Sequence, residues 1–238
     1  MFRNRERSLW KIALTVVAVA IAFFFFRRPG DMGISARDQV LLLDWARQQL
    51  VATAQGEGLI AVPFADITDD LQHAGSAFVS LYEGDRLRGC MIDDFVSHEP
   101  LYRNILRNTA LAASGDNRFP PVGPEEVDGL RIAISIITEP EALSFDDPED
   151  LLRQLQPGVD GVVLAVDFVG AVDAGTADEG DTGKGVSAYL PSVWETFPDP
   201  EEFLSQLCLK QDLRADRWRE MPYPRIETFR TFDFGESS

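Results

Sequence analysis

Arg88 and Cys90 stand two residues apart, with Gly89 between them, in the run Arg86 to Ile92. On a β-strand successive side chains leave opposite faces, so residues two apart share one. This spacing predicts a guanidinium beside a thiol. A neighbouring cation lowers the thiol pKa toward the thiolate, the form that acts as nucleophile or metal ligand. Gly89 would let a second backbone or a ligand come close. The other reading of the same residues is a small buried hydrophobe in a strand beside a surface charge.

Two further sets of residues bear on this chemistry. His73 and His98 are the histidines of the chain, so a cysteine-histidine pair must draw on one of them, and His98 lies eight residues beyond Cys90. Asp116 and Arg118 sit in the run Asp116-Asn117-Arg118-Phe119-Pro120-Pro121. Arg118 offers a fixed cationic fork for a carboxylate or phosphate, or else pairs with Asp116 to pin the loop. The candidate site is therefore Arg88 and Cys90 as reacting groups, with Gly89, His98, Asp116 and Arg118 as binding groups.

Other chemistry is not supported. Two cysteines and two histidines provide no zinc spacing, and Asp173, Asp178, Glu179 and Asp181 do not follow the spacing of a calcium loop. Gly183-Lys184-Gly185 lacks the earlier glycine and the following Ser or Thr of a phosphate-cradling loop. No metal site is expected, and the cofactor is left unspecified. Cys90 and Cys208 are either bridged in an oxidising space or ordinary free thiols. Cys208, four residues after Leu204 on a helix, should share its core-facing side.

The elements that would position these residues follow from hydrophobic period and end signals. Ser35 with Asp38 three residues on reads as a capping box, and Leu43, Ala46 and Leu50 recur at helical spacing. Ala77 to Tyr82 and Arg86 to Ile92, separated by Glu83-Gly84-Asp85, form a hairpin. Residues 99–114 read as a second helix, with Pro100 in its first turn and Gly115 as its cap. Leu130 to Ile137 alternates as a strand. Asp147 to Leu155 is a short helix, Gly161 to Val169 a β-rich run, and Gly170 to Gly185 a long Gly/Asp loop. Pro191 opens a short helix, and Asp199, Pro200 and Glu202 mark the start of the helix Pro200 to Lys210. Ile226 to Phe234 reads as one closing strand. Helices and strands mix without regular βαβ alternation, which predicts an α+β fold.

Charge divides the chain. The 238 residues carry a formal charge of −17, but residues 1–28 hold six Lys or Arg against Glu6 alone, so the remainder carries −22. A body this acidic repels phosphate backbones, which excludes nucleic acid as a partner. From Leu9 to Phe26 the sole charge is Lys11, and the helical length, about 1.5 Å per residue, approaches a bilayer core of roughly 30 Å. Lys11 and Trp10 suit the headgroup layer. Ala20-Ile21-Ala22 also resembles a signal-peptide cleavage site, yet cleavage there would leave Phe23 to Phe26 exposed. The preferred reading is an uncleaved single-pass anchor over 1–28, a linker over 29–34, a domain over 35–234 and a tail over 235–238. The heavier positive charge before the span places the body outside the cytoplasm, by a thin margin.

Several segments together carry a family resemblance: Leu87-Arg88-Gly89-Cys90, Asp116 to Pro121, Leu130-Arg131-Ile132-Ala133-Ile134-Ser135, Tyr189-Leu190-Pro191-Ser192-Val193-Trp194, and the helix Phe203 to Lys210. In order and spacing the chain resembles the AMMECR domain family over roughly Val40 to Phe234. The resemblance implies a mixed sheet with helices in a larger and a smaller subdomain, and it implies no settled activity. It is similar to protein A of the AmmeMemoRadiSam system, which implies a Memo-like protein and a radical SAM protein as partners. The family usually carries Ile-Gly after the Leu-Arg-Gly-Cys segment, where this chain has Met91-Ile92. The resulting expectation is an anchored domain that binds a small molecule or protein partner at a cleft beside the hairpin. Its rivals are an enzyme with Cys90 as nucleophile and an acidic scaffold that recruits partners to the membrane.

Overall fold

The computed structural model describes residues 33–166 and 185–237. The expected anchor over 1–28 and the Gly/Asp loop up to residue 184 lie outside the described residues. Among those described, no helix is long and apolar enough to cross a membrane. All elements below belong to the unit Ile34–Ser238.

Helix α1 (Ala36–Ala54) starts where expected: the Ser35 hydroxyl accepts the Asp38 N–H at 3.1 Å and donates to the Asp38 carboxylate at 2.8 Å. A short α2 (Asp69–Gln72) precedes the hairpin β1 (Ser76–Glu83) and β2 (Arg86–Met91), with Gly84 at φ 58° in the turn. Then come α3 (Leu101–Ser114) and β3 (Leu130–Ile137). The chain next enters a second lobe: β4 (Glu141–Ala142), α4 (Pro148–Gln154), β5 (Gly161–Ala165), β6 (Val186–Tyr189), α5 (Pro200–Leu209) and β7 (Arg225–Phe229). Finally β8 (Thr231–Gly235) returns to the first lobe.

Two antiparallel sheets result, ordered β2-β1-β3-β8 and β4-β7-β5-β6. Period-two alternation decides what each face of the first sheet meets. Ala77, Val79 and Leu81 of β1 and Ile132, Ile134 and Ile136 of β3 join one core with Leu42, Trp45, Ala46 and Leu50 of α1 and Ile105, Leu106 and Ala112 of α3. The opposite face presents Phe78, Ser80 and Cys90. There Phe78 and Ile137 meet Val163, Ala188 and Phe229 of the second sheet, and Phe78 stacks on Phe229 at 6.2 Å. The second lobe has its own core, in which Trp194 and Phe203 stack at 3.7 Å, near Leu164, Trp218 and Ile226.

The expected closing strand Ile226 to Phe234 is corrected. It is two strands, β7 in one sheet and β8 in the other, broken at Arg230. The break is fixed by a reciprocal pair: Thr138 N–H donates to the Arg230 carbonyl, and Arg230 N–H to the Thr138 hydroxyl, both at 2.9 Å. Both chain crossings between lobes, β3 to β4 and β7 to β8, pass this point.

Two buried asparagines of α3 complete the first sheet. β2 ends opposite Val79, so Ala77 of β1 has no strand partner on that side. Asn104 Oδ1 accepts the Ala77 N–H at 3.0 Å, and Asn108 Nδ2 donates to the Ala77 carbonyl at 2.9 Å. Asn104 and Asn108 also bond Asp93 in the connection after β2, at 3.0 and 2.9 Å. A buried peptide group left unpaired costs roughly 1–3 kcal/mol, which is why these helix positions carry amides and not leucines.

Candidate functional site

Arg88 is displaced from the pleat. β1 pairs Leu81 with Gly89 and Tyr82 with Leu87, so Arg88 is the extra residue of a β-bulge and simple alternation fails there. Its guanidinium turns to Glu126, with Nε to Oε2 at 2.9 Å and Nη2 to Oε1 at 3.1 Å. Glu126 also accepts the Gly123 N–H at 2.8 Å, and these bonds hold its carboxyl below the ordinary range. The expectation that Arg88 flanks the thiol and keeps it ionised is therefore corrected: Arg88 anchors the loop 115–126.

Gly89 takes the first of its two expected roles, the close approach of a second backbone. A Cβ there would lie 2.1 Å from the Ala112 carbonyl oxygen. The backbone that comes close is that of α3, not a ligand, and no other residue fits without shifting the helix.

Cys90 is half-buried. It packs with Ile92, Phe95 and Leu190 against the apolar cluster between the sheets, so Ile92, which stands where the resembling family has glycine, fills that seam. The directly opposed Ser80 donates its hydroxyl to Cys90 Sγ at 3.2 Å. Burial pushes the thiol above its ordinary value, against the Ser80 hydrogen bond and the charges of Arg118 and Lys210, while Asp116 adds to the rise. Cys208 is fully buried in the second core beside Leu204, and Cys90 and Cys208 are not joined in a disulfide.

His98 is exposed in the connection between β2 and α3, and His73 is exposed before β1. The groups that act on the sulfur are instead Ser80, Arg118, Lys210 and Asp116. A cysteine-histidine pair is not what the fold assembles.

Asp116 is the hub. It is 6% exposed, and its Oδ2 accepts the Cys90 N–H at 2.9 Å. Arg118 binds the same carboxylate through Nε to Oδ1 at 2.9 Å and Nη2 to Oδ2 at 2.7 Å, adds its own N–H at 3.2 Å, and leans from Nη2 to the Cys90 carbonyl at 3.4 Å. Cys90 lies on edge strand β2, and its outward N–H and C=O are thus taken by Asp116 and Arg118 in place of another strand. The ring of Phe119 lies between two cations, 5.9 Å from the Arg88 guanidinium and 5.5 Å from that of Arg118.

Sequence reasoning missed Lys210, which caps the C-terminus of α5. Although the residue is exposed, its ammonium turns inward, donating to the Ala188 carbonyl at 2.8 Å and lying 5.0 Å from the Tyr189 ring centroid. Burial pushes its pKa down and Arg118 pushes it further, while Cys90 and Asp116 pull it back up. Ser80 was missed as well. Nothing in local spacing links Lys210 to Cys90, since they come from different lobes.

The class of molecule is now defined: a two-lobed α+β protein with two antiparallel sheets, five helices among the described residues, and a cation-flanked thiol at the seam. Comparison places it among known proteins. The AMMECR1 family profile matches residues 43–234, and the chain belongs to that family. A protein of Methanothermobacter thermautotrophicus is 30% identical over 196 residues, covering 82% of this chain and 92% of its own. One of Thermofilum pendens is 31% identical, covering 78% and 84% respectively. The crystal structure of uncharacterized protein PH0010 from Pyrococcus horikoshii superposes with a TM-score of 0.70 at 26% identity, over 83% of this chain and 90% of that one.

A pH dependence follows from the hub. Burial works against the Asp116 carboxylate, but the Arg118 side chain and the N–H groups of Cys90 and Arg118 outweigh it and lower its pKa. A carboxylate lowered on folding stabilises fully above its unfolded value, about 3.9, and that stability is lost as pH falls through the folded value. Asp116→Ala should cost roughly 2 kcal/mol at pH 7, mainly from the stranded Cys90 N–H. In urea titrations the gap to wild type should narrow below pH 4, whereas a gap unchanged with pH would assign the loss to packing alone.

Proposed function

We propose that this protein is a membrane-tethered binding module whose cleft beside Cys90 takes a small molecule or partner segment through an anionic group. One observation supports it above the rest. Arg118 of one lobe and Lys210 of the other both act on the same half-buried thiol, in a body carrying −22. The nearest carboxylate, Asp116, is already engaged by Arg118 and the Cys90 N–H. Arg118 is balanced by Asp116, whereas the Lys210 ammonium has no carboxylate partner among the described residues, and an unbalanced cation beside a fixed guanidinium is an ordinary preparation for binding an anion.

The reading of Cys90 as a catalytic nucleophile has less support. A thiol pushed up by burial is mostly protonated at neutral pH and is a poor attacking group. Cys90 is better regarded as part of the cleft wall. The small-molecule fraction of a cell extract should shield Cys90 from N-ethylmaleimide in wild type and not in Arg118→Ala. Equal labelling with and without extract would remove the cleft from consideration, and labelling far faster than that of an ordinary cysteine would favour the enzyme.

The tether is proposed from sequence, on the apolar run Leu9 to Phe26 with its basic flank. Family likeness also makes a Memo-like protein and a radical SAM protein proposed partners. The favoured orientation and cytoplasmic partners compete. A reporter fused at Ser238 and active outside the cytoplasm supports the orientation and removes cytoplasmic partners. Activity inside overturns the orientation and leaves that pair for pull-down with the full chain.

A further inference from the structure

Arginine recognises a carboxylate best through one flat two-donor edge. In Arg118 that edge, Nε with Nη2, is already spent on Asp116 at 2.9 and 2.7 Å, and Nη2 also leans on the Cys90 carbonyl. Nη1 is left as an end-on donor, with no acceptor among the described residues. Across the seam, Lys210 gives one N–H to the Ala188 carbonyl and retains two others with no fixed plane. The Ser80 hydroxyl is occupied by Cys90 Sγ. What the cleft offers is therefore two separate point donors, one from each lobe.

We infer that the anionic group this cleft takes is a phosphate carried on a small molecule, not a carboxylate. The inference rests on the binding reading given above. A carboxylate has its acceptor lone pairs in one plane and suits a fork. A phosphate monoester presents three terminal oxygens in tetrahedral directions and a charge of about −1.5 to −2 at pH 7, so it can meet two cations that approach from different sides. Asp116 keeps its charge and balances Arg118, so the three side chains sum to +1, and the preference for phosphate rests on the directions of the donors and not on a match of charge.

The protonation of Lys210 supplies an independent readout. The groups that face its ammonium are Arg118, Cys90, Asp116 and the Tyr189 ring, and the net effect lowers its pKa. Raising the pH through that lowered value removes one of the two charges and should weaken phosphate binding. Arginine at the same place stays charged, so Lys210→Arg should bind phosphate without this fall. Cys90→Ser separates the lysine from the thiol, which titrates at alkaline pH.

The test is calorimetric titration of the full chain, held in detergent, with inorganic phosphate, glycerol 3-phosphate and acetate at equal ionic strength. Both phosphate probes should bind saturably, with acetate at least tenfold weaker. Arg118→Ala and Lys210→Ala should each weaken phosphate binding tenfold or more. Lys210→Ala, which loses a single protein hydrogen bond, carries the test where Arg118→Ala disturbs its loop. Binding of inorganic phosphate without glycerol 3-phosphate would overturn the assignment to a small-molecule phosphate. Acetate binding as tight as phosphate, and lost in Arg118→Ala, would overturn the phosphate class and leave the cleft standing. If no probe binds while extract still shields Cys90, the phosphate assignment falls alone; if shielding fails too, both readings fall.

Discussion

The hydrogen bond from the Cys90 N–H to the buried Asp116 carboxylate is the contact on which the site depends. β2 is an edge strand, and an edge offers unpaired peptide groups to any passing chain. Asp116 takes the Cys90 N–H, and Arg118, held two-point on Asp116, covers the Cys90 carbonyl. One carboxylate thus closes the edge, fixes the orientation of a half-exposed guanidinium, and seats the loop that leaves α3. Arg88 and Glu126 hold the far end of that loop, and Phe119 lies between the two guanidiniums. Remove the carboxylate, and Arg118 becomes an ordinary surface cation whose charge is worth little in water.

The second constraint is the seam between lobes. β5 is buried along its whole length because its two faces serve different clusters, Val162 and Leu164 inward to the second core and Val163 toward Phe78. The same alternation brings Ala188 to the seam, and the Ala188 carbonyl then fixes the ammonium of Lys210. Ser80, Cys90 and Ala188 meet where the outer face of one sheet packs on the other, and their small side chains fit between the aromatic rings of that cluster.

Much of the fold was legible in the sequence, for reasons of local physics. The Ser35 capping box, the alternation over Leu130–Ile137 and the Asp199-Pro200 start of α5 are short-range signals, and each stands in the structure as expected. What sequence could not reveal depended on partners far along the chain. The bulge at Arg88 is set by pairing with β1, and it undid an argument from pleat alternation. The break at Arg230 carries no Gly or Pro; it comes from the strand changing sheets. The buried amides of Asn104 and Asn108 have no local explanation in the helix and answer to the unpaired peptide of Ala77, a residue of another element. Asp116 and Arg118 were found together because two residues of separation suffice for a loop pair, whereas Lys210 had no local mark.

Native-state amide exchange at Cys90 probes the account most directly. At neutral pH the Cys90 N–H should exchange as slowly as the β2 amides that pair with β1, and Asp116→Ala should release it while those amides keep their protection. An edge amide that already exchanges freely in the wild type, or one indifferent to Asp116→Ala, would contradict the clasp and with it the placement of Arg118 beside Cys90.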